Sequence, residues 1–225
     1  MFTLSSILFG IMPTKEIYLL SGLGADQRVF DFLELSNFKQ IYIEWIEPLP
    51  KESIENYAQR LSAQIKTINP VLIGVSFGGM MAVEIGKLIP TEKIILISSA
   101  KTRADIPSYY KIIGFLRVHW LVPVAILKNV NALTYWFFGV SDTKEKKLLR
   151  EIIKETNGKF LVWAIDQIPN WKNRDSVPNT ISIHGTNDKL LPIRSSEYKV
   201  QDGGHLMIIT KAEEVSKKVN EALMN

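Results

Sequence analysis

The chain has 225 residues, 46% hydrophobic and 22% charged, an ordinary globular mix long enough to bury one full core. Its formal charge of +4 comes from 27 basic and 23 acidic residues, with only short basic pairs such as Lys146-Lys147 and Lys217-Lys218. A nucleic-acid surface needs a clustered basic stripe, so no nucleic-acid partner is expected. There is no cysteine, which excludes disulfides, thiolate metal sites and a cysteine nucleophile, and fits a reducing, cytoplasmic location.

Residues 1–12 are apolar, yet too short to span a bilayer, and they lack the basic leader of a secretory signal. No stable membrane insertion is expected. The plainest reading makes Met12 the start and the first eleven residues an upstream extension, with an apolar flap over a binding site as the alternative. Residues 16–20 read as a buried strand. Ser21-Gly22-Leu23-Gly24-Ala25-Asp26 follows, with Asp26 suited to an N-cap before Val29, Phe30, Phe32 and Leu33. A second strand is expected over 41–46. Apolar positions Ile54, Tyr57, Ala58, Leu61 and Ile65 predict a one-striped helix over 53–68, stopped by Asn69-Pro70. Val71-Leu72-Ile73 and residues 93–97 are near-continuous apolar runs, as strands of a parallel sheet covered on both faces require.

Residues 100–178 break this alternation and are too long for a simple connection. They are rich in aromatics, among them Tyr109, Tyr110, Phe115, Trp120, Tyr135, Trp136, Phe137, Phe138, Phe160, Trp163 and Trp171. Pro107, Pro123 and Gly139 divide them into short helices, the last two over 144–154 and 159–168. Strands resume at 180–184 and 197–200, and a helix over 212–224 closes the chain. The expected organisation is a core of 13–99 and 179–225, with 100–178 as an inserted helical cap. The expected fold is a doubly wound α/β sheet of about six strands, mostly parallel, with its chemistry at the carboxyl ends of the strands.

One stretch carries the functional reading. Gly74-Val75-Ser76-Phe77-Gly78-Gly79 lies between an apolar strand and a helix-like run. A serine at such a turn must take a strained backbone to present its hydroxyl, and bulky residues two positions either side would clash. The bland alternative is a glycine-rich βα turn with an incidental serine. A neutral hydroxyl needs a base. Of three histidines, His205 follows two glycines between the last strand and the last helix. His184 ends a strand, where a structural hydrogen-bonding role is expected, and stands second. His119 sits among cap aromatics, where packing is expected. Asp188 follows a strand end in His184-Gly185-Thr186-Asn187-Asp188, and a carboxylate is needed to orient the imidazole. It could equally be a turn former. Asp202 is too near His205 in sequence to orient it comfortably, and Asp105 lies early in the cap.

The G-x-S-x-G elbow, with Ser76, Asp188 and His205 in that order, resembles the α/β-hydrolase family over nearly all of residues 15–225 outside the cap. The resemblance implies a serine esterase-like enzyme without metal or cofactor, with a Ser76–Asp188–His205 triad. It also implies an oxyanion hole formed by the backbone N–H of Phe77 and of a residue in the first loop. Relatives often show His-Gly in that loop; here the pair is Ser21-Gly22, which points to Leu23 as donor, with Gly24 as the alternative. The aromatic cap points to a small-molecule ester or thioester with an apolar part. A lyase or carbon–carbon bond-cleaving reaction on the same scaffold, or a non-catalytic ligand-binding role, stay open as alternatives. The oligomeric state is left open.

Overall fold

The computed structural model describes residues 15–35, 37–110 and 122–225. The apolar flap or extension at 1–12, together with Phe115, His119 and Trp120, lies outside the described residues.

Six strands form one sheet: β1 (Lys15–Leu20), β2 (Phe38–Tyr42), β3 (Val71–Val75), β4 (Lys93–Ile97), β5 (Thr180–Gly185) and β6 (Tyr198–Val200). Their order is β2-β1-β3-β4-β5-β6, and every pair is parallel. The expected sheet of six strands is therefore present, and fully parallel. Side chains alternate between its faces. Ile17, Leu19, Val71, Ile73, Val75, Ile95, Ile97 and Ile183 enter one apolar core. Tyr18, Leu20, Leu72, Ile94 and Leu96 enter another. Helices cover both faces, which is why these strands read as unbroken apolar runs.

Helix α1 (Ile54–Ser62) buries Ile54, Tyr57, Ala58 and Leu61, and Ser53 caps it by accepting from Asn56 N. Such a cap is worth about 1 kcal/mol. The helix is shorter than the expected 53–68. From Ala63 on, the amides bond three residues back, to Arg60, Leu61 and Ser62, which tightens the chain out of α-helical pitch before Asn69 turns it at φ +51°. Asp26 caps a single 3₁₀ turn at Gln27–Phe30. The second strand also departs from expectation, at 38–42 instead of 41–46. It is the edge strand and pairs only with β1, which ends at Leu20, so the chain beyond Ile43 has no ladder to join.

Helix α2 (Phe77–Leu88) follows β3 directly and buries nine of its 12 residues between the sheet and α1. Between β4 and β5 lie α3 (Val124–Leu127), α4 (Ala132–Phe138), α5 (Thr143–Glu155) and α6 (Gly158–Asn170). Helix α5 sends Leu149, Ile152 and Ile153 into the first core; α6 sends Phe160 and Ala164 into the second. The two ends of this segment are tied together at the sheet rim. Arg103 N donates to Asn173 O at 2.7 Å, and Asn173 Nδ2 donates to Lys101 O at 3.0 Å. Just beyond α6, the buried Trp171 donates its indole N–H to the buried Glu84 of α2 at 2.7 Å, so neither polar group is left unpaired. Helices α7 (Met207–Thr210) and α8 (Ala212–Met224) close the chain.

Candidate active site

The carboxyl ends of β3 and β5 and the loop after β6 meet at one point. Ser76 follows β3 with φ +52° and ψ −120°, a backbone region that a non-glycine residue enters only under strain. Four hydrogen bonds hold it there. Ser76 N donates to Ile97 O at 2.9 Å, and Ser76 O accepts from Gly79 N, Met80 N and the Ser99 hydroxyl, the last at 2.5 Å. The flanking glycines are required by contact. A Cβ on Gly78 would collide with the carbonyl oxygens of Leu20 and Ser21, and one on Gly74 would lie 2.5 Å from Gly78 O. Backbone cannot give way as a side chain can, so the G-x-S-x-G spacing follows from how closely helix and strand approach.

Ser76 Oγ lies 2.8 Å from His205 Nε2, and His205 Nδ1 lies 2.8 Å from Asp188 Oδ2. His205 and Asp188 are both buried. Burial opposes the charge on Asp188. Attraction to the imidazolium form of His205, hydrogen bonds from the rings of His205 and His184, and the Leu191 amide outweigh it, holding the carboxyl well below the usual carboxylate range. The other oxygen, Oδ1, accepts from the amides of Leu190 and Leu191 at 3.0 and 2.8 Å. An ionised Asp188 only accepts, so Nδ1 of His205 carries a proton and Nε2 of the neutral ring is free to accept from the Ser76 hydroxyl. The arrangement can take a proton from an alcohol poised at the sheet rim.

His184 does not reach Ser76 by any of its bonds. Its Nε2 lies 2.8 Å from Leu191 O and 3.2 Å from Asp188 Oδ2, and since a carbonyl can only accept, this nitrogen is the donor. It braces the loop that carries Asp188, the structural place expected of it. Asp202 sits on an exposed turn at φ +56°, and Asp105 closes a capping box at Thr102; neither joins the cluster.

The loop of His205 is locked to the end of α4. Helix α4 ends at Gly139 with φ +70°, and a Cβ on either Gly139 or Gly204 would lie 2.8 Å from the Cα of the other. Leu206 N donates to Phe138 O at 3.0 Å, and the Phe138 ring meets the His205 ring edge to face at 5.6 Å.

The loop after β1 lies against Ser76: a Cβ on Gly22 would come 3.3 Å from Ser76 Cβ. Leu23 follows in this turn, closed by Ala25 N donating to Gly22 O at 3.1 Å. Phe77 is the first residue of α2, where an amide has no partner within the helix. Beside Ser76 and His205 is a small pocket walled, among the described residues, by Phe77, Met80, Ile106, Tyr110, Ile168, Leu190 and Leu191. Of the segment's aromatics, Tyr110 lines this pocket, while Phe160, Trp163 and Trp171 belong to the packing over α1 and α2. Sequence reasoning missed three supports: Ser99, whose hydroxyl holds the Ser76 carbonyl, and Ser21 and Trp45, which hold the first loop. The Ser98-Ser99 pair at the end of β4 was a signal available for the first; the other two carry none that is local.

No known family model and no curated protein matches the chain by sequence. Solved structures do match in shape. An esterase from Exiguobacterium antarcticum is similar with a TM-score of 0.73 at 16% identity, covering 94% of this chain and 92% of that one. MenH from S. aureus gives a TM-score of 0.71 at 15% identity, over 96% and 95%. An enol-lactonase from Burkholderia xenovorans gives 0.70 at 16%, over 95% and 93%. With its parallel six-stranded order and these likenesses along nearly the whole chain, the protein has the α/β-hydrolase fold.

Proposed function

We propose that this protein is a serine hydrolase that cleaves an ester or thioester with an apolar part, through an acyl-enzyme on Ser76. The observation that carries the reading is the unbroken chain of two 2.8 Å hydrogen bonds from Ser76 Oγ through His205 to Asp188, starting at a strained strand-to-helix turn. His205 Nε2 takes the hydroxyl proton as Oγ attacks the carbonyl carbon. The tetrahedral oxyanion is held by the backbone amides of Phe77 and Leu23. His205 then returns the proton to the departing alcohol or thiol, and the carbonyl reforms as an ester to Ser76. Water, deprotonated by the same imidazole, attacks the acyl carbon, and the imidazolium returns that proton to Ser76 Oγ as the acid leaves. Asp188 keeps Nδ1 protonated and stabilises the imidazolium; it does not itself take the proton.

The mostly apolar side chains that wall the pocket beside Ser76 among the described residues support an apolar substrate moiety. In this reading residues 100–178 are the cap: Ile106, Tyr110 and Ile168 are its contribution to the substrate wall, and Phe138 backs the His205 ring. Neighbours of the same fold are named as an esterase and an enol-lactonase, which agrees with chemistry at an acyl carbon.

The test is turnover of p-nitrophenyl esters and acyl thioesters of graded chain length by the wild type and by Ser76→Ala. Hydrolysis of apolar members that is lost in the variant is expected. Equal rates with the two proteins, or no turnover of any member by the wild type, would count against the reading.

A further inference from the structure

The first loop has a support that the reaction scheme leaves unused. Trp45 Nε1 donates to Ser21 Oγ at 2.9 Å, and Ser21 Oγ donates to Ala25 O at 2.9 Å. Ala25 N in turn donates to Gly22 O at 3.1 Å. Donor and acceptor roles in this relay are forced. A carbonyl only accepts, so the single hydroxyl proton of Ser21 goes to Ala25; an indole N–H only donates, so it goes to the Ser21 oxygen. The relay spans the turn that contains Leu23. Ser21 itself is buried, which removes competing water.

Trp45 is held as firmly by its ring as by its nitrogen. It stacks on Phe160 of α6 with centroids 4.9 Å apart, and it lies 5.8 Å from the Phe77 ring and 6.3 Å from the Tyr57 ring. Phe160 belongs to the inserted segment, and Phe77 supplies the other oxyanion amide of the reading above. One indole therefore touches both donors' supports and the segment over them. Aromatic pairs at these separations have preferred geometries, so the ring's place depends on where Phe160 sits.

We propose that Trp45 is a positioning residue for the oxyanion site: through Ser21 it sets the Leu23 amide, and through Phe160 it ties that setting to the seat of the inserted helices. The inference rests on the serine-hydrolase reading.

The experiment compares the wild type, Trp45→Phe, Ser21→Ala, the double variant and Phe160→Leu. Trp45→Phe keeps an aromatic ring but loses the N–H together with the fused second ring, so Ser21→Ala is the variant that removes the hydrogen bonds with little change in packing. Each is measured for kcat and KM on the best ester, and for inhibition by a trifluoromethyl ketone of the same acyl chain. That ketone adds to Ser76 and places an oxyanion in the hole. Misplacing a donor costs up to about 100-fold, so Trp45→Phe and Ser21→Ala are each expected to lower kcat/KM by about 10- to 100-fold, with KM within about twofold. Ketone affinity should fall by the same factor, and the double variant should match the single ones, as members of one relay do. Phe160→Leu should shift the same quantities in the same direction by less. Melting temperature separates these effects from misfolding, and should one tryptophan variant fail to fold, Ser21→Ala alone carries the comparison. The proposal is overturned if kcat/KM stays within about twofold in Ser21→Ala, if losses multiply in the double variant, or if ketone affinity is unchanged while kcat falls. A wild type that neither hydrolyses esters nor binds the ketone refutes the hydrolase reading itself, and the proposal with it.

Discussion

Helices α2 and α4 both abut the candidate site, and both are mostly apolar, yet they are built on opposite terms. Helix α2 buries nine of its 12 residues and begins at the strained Ser76. Helix α4, with the sequence Ala-Leu-Thr-Tyr-Trp-Phe-Phe, has no fully buried residue, and Leu133 and Trp136 are exposed. What α4 contributes is its end: Phe138 against the His205 ring and Gly139 against Gly204. Around Ser76 the turn glycines meet backbone at several points, whereas α4 meets the site through one glycine pair, one backbone hydrogen bond from Leu206 N to Phe138 O, and the Phe138 ring. The first kind of support cannot change without loss of the fold. The second can vary in sequence while Ser76, Asp188 and His205 keep their places.

Substitutions test this division from the most damaging to the least. Ser76→Ala is expected to lower kcat by roughly 10⁴-fold or more at unchanged melting temperature, since the methyl fits where the hydroxymethyl sat. Asp188→Asn keeps the shape and presents the wrong tautomer to His205, so kcat should fall by about 10³- to 10⁴-fold. The same variant has a signature in acid. The Asp188 carboxyl is held below its ordinary range in the folded protein, so it contributes stability that is full above about pH 4 and is lost as pH falls further. The melting temperature of the wild type should therefore drop more steeply as pH falls below about 4 than that of Asp188→Asn. An equal slope in the two proteins would contradict an ionised Asp188 held by its hydrogen-bond partners.

Gly78→Val aims at the backbone support. Its side chain would meet the Leu20 and Ser21 carbonyls, and a loss above about 4 kcal/mol, seen as an insoluble or unfolded protein, is expected. Ile168→Ala acts on the pocket wall from the inserted side. It should leave the fold intact and move the preferred acyl chain to a longer one by about 10-fold in relative kcat/KM, the scale of one methylene group or slightly more. Trp136→Ala removes an exposed ring under the Lys189 ammonium, 4.7 Å from its centroid, and should cost less than about 1 kcal/mol. If Trp136→Ala unfolds the protein and Gly78→Val does not, the contrast between the two helices has been drawn the wrong way round.

The same contrast explains what could be read in the sequence. Strands β1, β3, β4 and β5 are covered on both faces, so their apolar runs are conspicuous and their bounds fall within a residue or so of expectation. The elbow was legible because close approach leaves glycine as the only residue that fits at Gly74 and Gly78. Edge strand β2 was placed late because its extent is decided by where β1 stops, a fact of pairing that its own residues do not carry. Helix α4 was legible only as one of several short helices, since a helix that buries little has no strong stripe. The supports of the site were harder to read for a further reason. Trp45 acts on Ser21, 24 positions away, and Ser99 on Ser76, 23 positions away, so the sequence around each does not show what it holds, even where the Ser98-Ser99 pair marks a polar spot.

The central claim is that the Ser76 hydroxyl is the group made nucleophilic by the imidazole and carboxylate behind it. The most direct measurement is the intact mass and peptide map of the protein after exposure to a fluorophosphonate. The account predicts a single phosphonyl adduct, on the peptide containing Ser76, absent from Ser76→Ala and much slower to form in Asp188→Asn. An adduct that persists in Ser76→Ala, or a wild type left unmodified while its hydrogen-bonded cluster is intact, would contradict it.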